Sequence, residues 1–162
     1  RRALLGLAPG LAVVVAGVLL AQRPGPALVF GASMLVTGAV LLWYGRDIRR
    51  AVLPGVLAGI APLALSLCAH HVGGPCTPDG CTAFCLPVCG AGGLIAGLAV
   101  ATVGYRRRYS AGLWVAASGL ALLTGAMGCA CVGHSGVAGL ALGYCAGLAP
   151  SLARKIWGRE TP

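Results

Sequence analysis

The chain has 162 residues, of which 58% are hydrophobic and 9% charged, with 12 Lys and Arg against 3 Asp and Glu. A soluble domain of this size carries roughly a quarter charged residues, so there is too little charge here to cover a water-facing surface. The formal net charge of +9 does not read as a nucleic-acid footprint. The cations stand in short clusters between long apolar runs, and no direct nucleic-acid binding is expected.

A membrane span needs about 20 apolar residues at a rise of about 1.5 Å each. Taken in order, the runs are Ala3–Ala21, Ala27–Tyr44, Ala51–Ala69, Val88–Tyr105, Ala111–Cys129 and Ser135–Trp157, the last apolar as far as Ala153. The expectation is an all-α polytopic membrane protein, one domain over 1–162 built as a bundle of six transmembrane helices. The chain opens on Arg1, almost against the first run, and a segment ahead of it is expected. Arg1 and Arg2 before an apolar stretch would suit a signal peptide. The run is long enough to span, however, and "QRPGP" resembles a turn more than a cleavage site, so a retained helix is expected. The breaks fall at Gly25–Pro26, Arg46–Arg50, a loop over 70–87, Arg106–Ser110 and Val132–His134. In the third run, Pro54 suits a first helical turn and Pro62 should kink the helix.

Placing the N-terminus in the cytoplasm puts Arg1, Arg2, Arg46, Arg49, Arg50, Arg106, Arg107, Arg108, Arg154, Lys155 and Arg159 inside and only Arg23 outside. That asymmetry follows the positive-inside rule. Trp43, Tyr44, Tyr105, Tyr109 and Trp157 fall at the same inner ends, where an interfacial aromatic belt is expected. The expected location is therefore the bacterial inner membrane, with both termini cytoplasmic and the lipid bilayer as the main partner.

The 27 glycines include Gly6-xxx-Gly10, Gly55-xxx-Gly59, Gly93-xxx-Gly97 and Gly139-xxx-Gly143-xxx-Gly147, spacings that let helices approach closely. They are expected to pack helices within the chain. The apolar runs, the last taken as far as Ala153, hold no Asp, Glu, Lys or Arg, which counts against ion-coupled transport.

The stretch "HHVGGPCTPDGCTAFCLPVC", residues 70–89, gathers His70, His71, Cys76, Cys81, Cys85 and Cys89. On the expected topology all eight cysteines and all three histidines face the extracytoplasmic side, since Cys68, Cys129, Cys131, His134 and Cys145 fall in the outer half as well. Two readings of this face stay open. In the first, thiols in an oxidising compartment pair as structural disulfides, among Cys68, Cys76, Cys81, Cys85, Cys89, Cys129, Cys131 and Cys145, and brace a loop with little core of its own. In the second, Cys76, Cys81, Cys85, Cys89, Cys129 and Cys131, with His70, His71 and His134, hold a soft metal ion such as zinc or copper. Cys81, Cys85 and Cys89 stand at i, i+4 and i+8, but Pro87 disfavours helix at Leu86. Cys81 and Cys85 are thus expected in the loop and Cys89 in the first turn of the fourth helix. A quinone-linked thiol–disulfide oxidoreductase is a third option, although no C-x2-C pair is present. Asp79 in "TPDG" reads as turn chemistry. No Ser-His-Asp set, phosphate loop, HExxH or paired carboxylates occur, so catalysis is not expected.

"CTAFCLPVCGAGGLIAGL" and "GLALLTGAMGCACVGHSGVAGLALGYCAGLAPSLARKIW" resemble the six-span bacterial membrane anti-sigma factors of the NrsF type. The shared features are a cysteine-then-proline approach to helix four, a cysteine closing helix five, and a glycine-rich helix six with a basic-aromatic tail. The resemblance implies a regulator whose periplasmic cysteines respond to heavy metals and whose N-terminus holds a sigma factor. Its switch positions would be Cys85 or Cys81 together with Cys129. The competing expectation is an accessory subunit of a larger membrane complex, with other membrane subunits as partners. Sidedness is directly measurable. A membrane-impermeant thiol reagent is expected to reach Cys76 from the outer face of sealed cells, and labelling only from the cytosolic face would reverse the topology.

Overall fold

In the computed structural model the described residues are 2–20, 24–44, 49–73, 81–106, 110–129 and 134–157. They form α1 (Arg2–Leu20), α2 (Pro24–Tyr44), α3 (Arg49–Gly73), α4 (Cys81–Arg106), α5 (Ala111–Cys129) and α6 (His134–Trp157). The protein is all-α, and four of the described stretches are long and apolar enough to cross a membrane: Gly25–Trp43, Val52–Ala69, Leu86–Arg106 and Ala111–Cys129.

Several helices run past the apolar segments that suggested them. α2 starts at Pro24, so Gly25 and Pro26 lie in its first turn instead of in a break, a position where a missing N–H costs nothing. α3 continues through His70 and His71 to Gly73. α4 begins at Cys81, not Val88, with Pro87 inside it. Pro87 forfeits only the bond to the Ala83 carbonyl, which lies in the first turn of α4, near the end of the element. The expected loop over 70–87 therefore contracts, and Cys81 and Cys85 belong to a helix. Pro54 likewise sits inside α3, beyond its first turn, because the helix already starts at Arg49.

α5 is the central helix. Its Ala116, Ala117, Leu120, Ala121, Thr124, Ala126, Met127 and Cys129 are all buried. One apolar cluster joins it to Val14 of α1, Met34 of α2 and Val52, Val56 and Leu63 of α3. Another joins it to Ala58 of α3, Ala96 and Val100 of α4 and Tyr144 of α6. By contrast, α2 turns Leu28, Val29, Val36, Val40 and Trp43 outward, the surface a lipid-facing helix needs.

Glycines set the closest approaches. A Cβ on Gly55 would lie 2.8 Å from the Ala117 carbonyl oxygen, and one on Gly59 2.8 Å from that of Ala121. On α4 and α6, Gly93 faces Leu140 and Tyr144, Gly97 faces Tyr144 and Gly147, and Gly143 abuts the Gly90 backbone. Both seams advance in the same direction along their two helices, so α3 runs parallel to α5 and α4 parallel to α6. The contacts Gly10 with Met34 and Gly31 with Val14 run in opposite directions, so α1 and α2 are antiparallel. So are α5 and α6, which meet at Gly125–Leu140 and Ser118–Tyr144.

This register has one consequence for the site. The starts of α1 and α3 and the ends of α4 and α6, which carry Arg2, Arg49, Arg50, Arg106, Arg154 and Lys155, share one end of the bundle. Cys68, Cys89 and Cys129 lie toward the other.

Several hydroxyls in the helices are satisfied locally. Ser33 donates to the Val29 carbonyl, Ser66 to Leu63, Thr102 to Ala99, Thr124 to Leu120 and Ser151 to Leu148, at 2.8–2.9 Å. Back-bonding of this kind satisfies each of these hydroxyls within its own helix, with no demand on the lipid.

The seam makes a sharp contrast between glycines. Gly143→Val drives side-chain atoms into the Gly90 backbone and is expected to destabilise by about 1–3 kcal/mol, as overpacking does. Gly119→Ala, with nothing within 4 Å of its Cβ position, should be neutral or stabilising by up to about 1 kcal/mol. Thermal unfolding in detergent of the two variants beside the parent checks the pair.

Candidate functional site

Two of the predicted site residues meet. Cys89, in the third turn of α4, and Cys129, the last residue of α5, lie thiol against thiol in a side-chain hydrogen bond. Both are sealed, at 1% and 0% exposure. Around them Ala126 and Leu140 complete a buried cluster, with Phe30 of α2 and Leu122 packed against it. Four helices thus enclose the sulfurs with aliphatic and aromatic carbon.

The local sequence explains the meeting. Gly90 and Gly93 let α4 lie on α6, and Gly125 and Gly128 bring α5 onto Pro62, Leu63 and Ser66 of α3. Each cysteine therefore stands within a turn of glycines that have drawn its helix inward. One turn deeper, Pro62 fills the gap where α3, α4 and α5 converge. A Cβ on Gly92 would lie 2.7 Å from its Cα, and one on Gly125 2.9 Å from its Cγ. The sequence marks Pro62 as a kink candidate, but its two glycine partners escape notice. The available signal was a glycine three or four residues inward from each cysteine.

The other candidates divide as follows. Cys68 and Cys145 are exposed on α3 and α6 and do not join the pair. His70 and His71 lie on α3, Cys81 and Cys85 on α4, and His134 at the start of α6, but their side chains are outside the described residues. Cys76 and Cys131 lie outside the described residues altogether. Along α4, positions 81, 85 and 89 recur on one face at successive turns. Among the described residues no group of three or more Cys, His, Asp or Glu comes together.

Two adjacent thiols can release two protons and bind one divalent soft ion, and the product is neutral. A neutral product suits an apolar enclosure, where a bare charge is costly. Of the four donors a structural zinc site uses, the described residues supply two. The same pair could also close to a disulfide.

Fold and site together define a multi-helical protein of membrane character with a buried dithiol between two helices. No family model matches the chain, and neither curated proteins nor solved structures give a match.

Burial orders the thiol reactivities. In single-cysteine variants held in detergent, Cys68 is expected to react with N-ethylmaleimide ahead of Cys89 and Cys129. An opening cost of about 2 kcal/mol would slow the buried pair roughly 30-fold. Timed alkylation read by intact mass, with and without denaturant, makes the measurement, and equal native rates would contradict the burial.

Proposed function

We propose that this chain is a six-span regulator of the bacterial inner membrane, with both termini cytoplasmic, that senses soft-metal or oxidative thiol stress at its outer side and relays it inward without catalysis. The carrying observation is the buried Cys89–Cys129 pair, toward the end of the bundle opposite the arginines. This pair lies between helices whose other contacts are backbone-close, where a change of sulfur spacing must move a helix.

On this reading Cys89 and Cys129 form the responsive core. The remaining candidates, Cys76, Cys81, Cys85 and Cys131 with His70, His71 and His134, bring ions to it or complete its coordination. The alternating register supports the six-span plan, and the arginine-bearing end takes the cytoplasmic side by the positive-inside rule. A sigma factor held ahead of α1 is the output that the resemblance to the anti-sigma family suggests.

Adjacency supports a second reading equally well: an accessory membrane subunit in which Cys89 and Cys129 are joined as a brace. Intact mass after denaturing alkylation, with and without prior reduction, separates the two. The sensor predicts a pair that alkylates without reduction in unstressed cells, and the brace predicts one that does not.

In cells, Cys89→Ser and Cys129→Ser are each expected to abolish a transcriptional response to a soft metal, while Cys145→Ser leaves it intact. A full response in the Cys89→Ser, Cys129→Ser double variant removes the proposal.

A further inference from the structure

The place of the dithiol relative to Pro62 gives the proposed sensor a mechanical form. Pro62 is fully buried in the middle of α3 and has no N–H to give the Ala58 carbonyl, so α3 lacks one rung of its ladder there. Its ring lies against Gly92 of α4 and Gly125 of α5 at once. The point where the three helices meet is therefore a proline seated on two glycines, with the Leu140 side chain of α6 beside it on Gly125.

The sulfurs sit just outward of this point. Cys89 is three residues from Gly92 and Cys129 four from Gly125, about 4.5–6 Å along the helix axes. Inward, the arms are long. From Gly92 to Gly104 and from Gly125 to Trp114 the distance is about 16–18 Å. There α4 and α5 touch again, with the Trp114 indole occupying the space a side chain at Gly104 would fill, 2.5–2.9 Å from its Cβ position.

We infer that α4 rocks about Pro62 against the α3–α5 pair as a lever, so that a change of spacing between the Cys89 and Cys129 sulfurs is magnified roughly threefold at the Gly104–Trp114 contact. α6 moves with α4, because Gly90 and Gly143 join them backbone to backbone. The basic end of α6 at Arg154 and Lys155 is carried along. This inference rests on the dithiol being the responsive site, and it adds where the response is delivered.

Mercuric ion is a suitable probe: Hg2+ displaces the two thiol protons, forms two Hg–S bonds and resets the sulfur spacing to two Hg–S bond lengths in place of the hydrogen bond, with no change of oxidation state. The test uses the full chain in lipid nanodiscs, with Trp43→Phe and Trp157→Phe leaving Trp114 as reporter. The six cysteines other than Cys89 and Cys129 are replaced by Ser. Binding is read by sulfur-to-mercury charge-transfer absorbance and the lever by Trp114 emission. Both are expected to change together on adding one equivalent, and both to vanish in Cys89→Ser. Pro62→Ala, which restores the missing rung, should keep the absorbance and lose most of the emission change; circular dichroism and melting verify its fold.

Absorbance without any Trp114 response overturns the lever and leaves the dithiol reading standing. No absorbance overturns both. An undiminished emission change in folded Pro62→Ala removes Pro62 as the pivot.

Discussion

In an apolar medium, helices gain nothing by hiding their side chains from water, because lipid already does so. What holds them is packing at short range. The chain meets this constraint with glycine. Backbones touch where Gly55 and Gly59 face α5 and where Gly90, Gly93 and Gly97 face Gly143, Tyr144 and Gly147. Such contacts are stiff across the seam and tolerate no added methyl group, so each seam fixes two helices as one body. Everything else in the structure follows from which helices share a seam and which do not.

The parallel seams, α3 with α5 and α4 with α6, bring together helices separated in sequence by one other. That arrangement forces the intervening turns to opposite ends and sorts the chemistry by end. Arg49, Arg50 and Arg106 go one way and Cys68, Cys89 and Cys129 the other. The sorting arises from packing register and from charge pattern independently, because the glycine contacts contain no information about arginine. Their agreement is an argument from two separate forces.

Long-period features were legible in the sequence. The apolar runs, the GxxxG spacings and the arginine clusters depend on composition over many residues, and they gave the helices and their alternation. Boundaries were less legible. Pro87 disfavours helix at Leu86 and so points to a start of α4 near Val88, yet the Ala83 carbonyl is near enough to the start of α4 to do without its partner. The site was partly legible. Cys89 and Cys129 were both candidates, but the Cys85–Cys129 and Cys81–Cys129 pairs suggested by resemblance did not point to Cys89. Which cysteine meets Cys129 is decided by where Gly90 and Gly93 seat α4 on α6, a contact between residues some fifty positions apart that spacing along one helix cannot reveal.

The burial of the dithiol bears on what kind of signal it can carry. An exposed cysteine pair reports whatever reaches it, and its modification need not disturb the fold. Cys89 and Cys129 are closed in by Ala126, Leu140, Phe30 and Leu122, so any atom placed between the sulfurs must displace a neighbour. Leu140 belongs to the α4–α6 seam and Ala126 adjoins Gly125 at the Pro62 junction. The neighbours that must yield are thus the ones that set helix angles. Close-packed interiors respond to such intrusion by shifting whole elements, because single side chains have nowhere to go. On the proposed sensor reading, chemistry at the pair and geometry of the bundle are one event, and this coupling distinguishes a buried dithiol from a surface one.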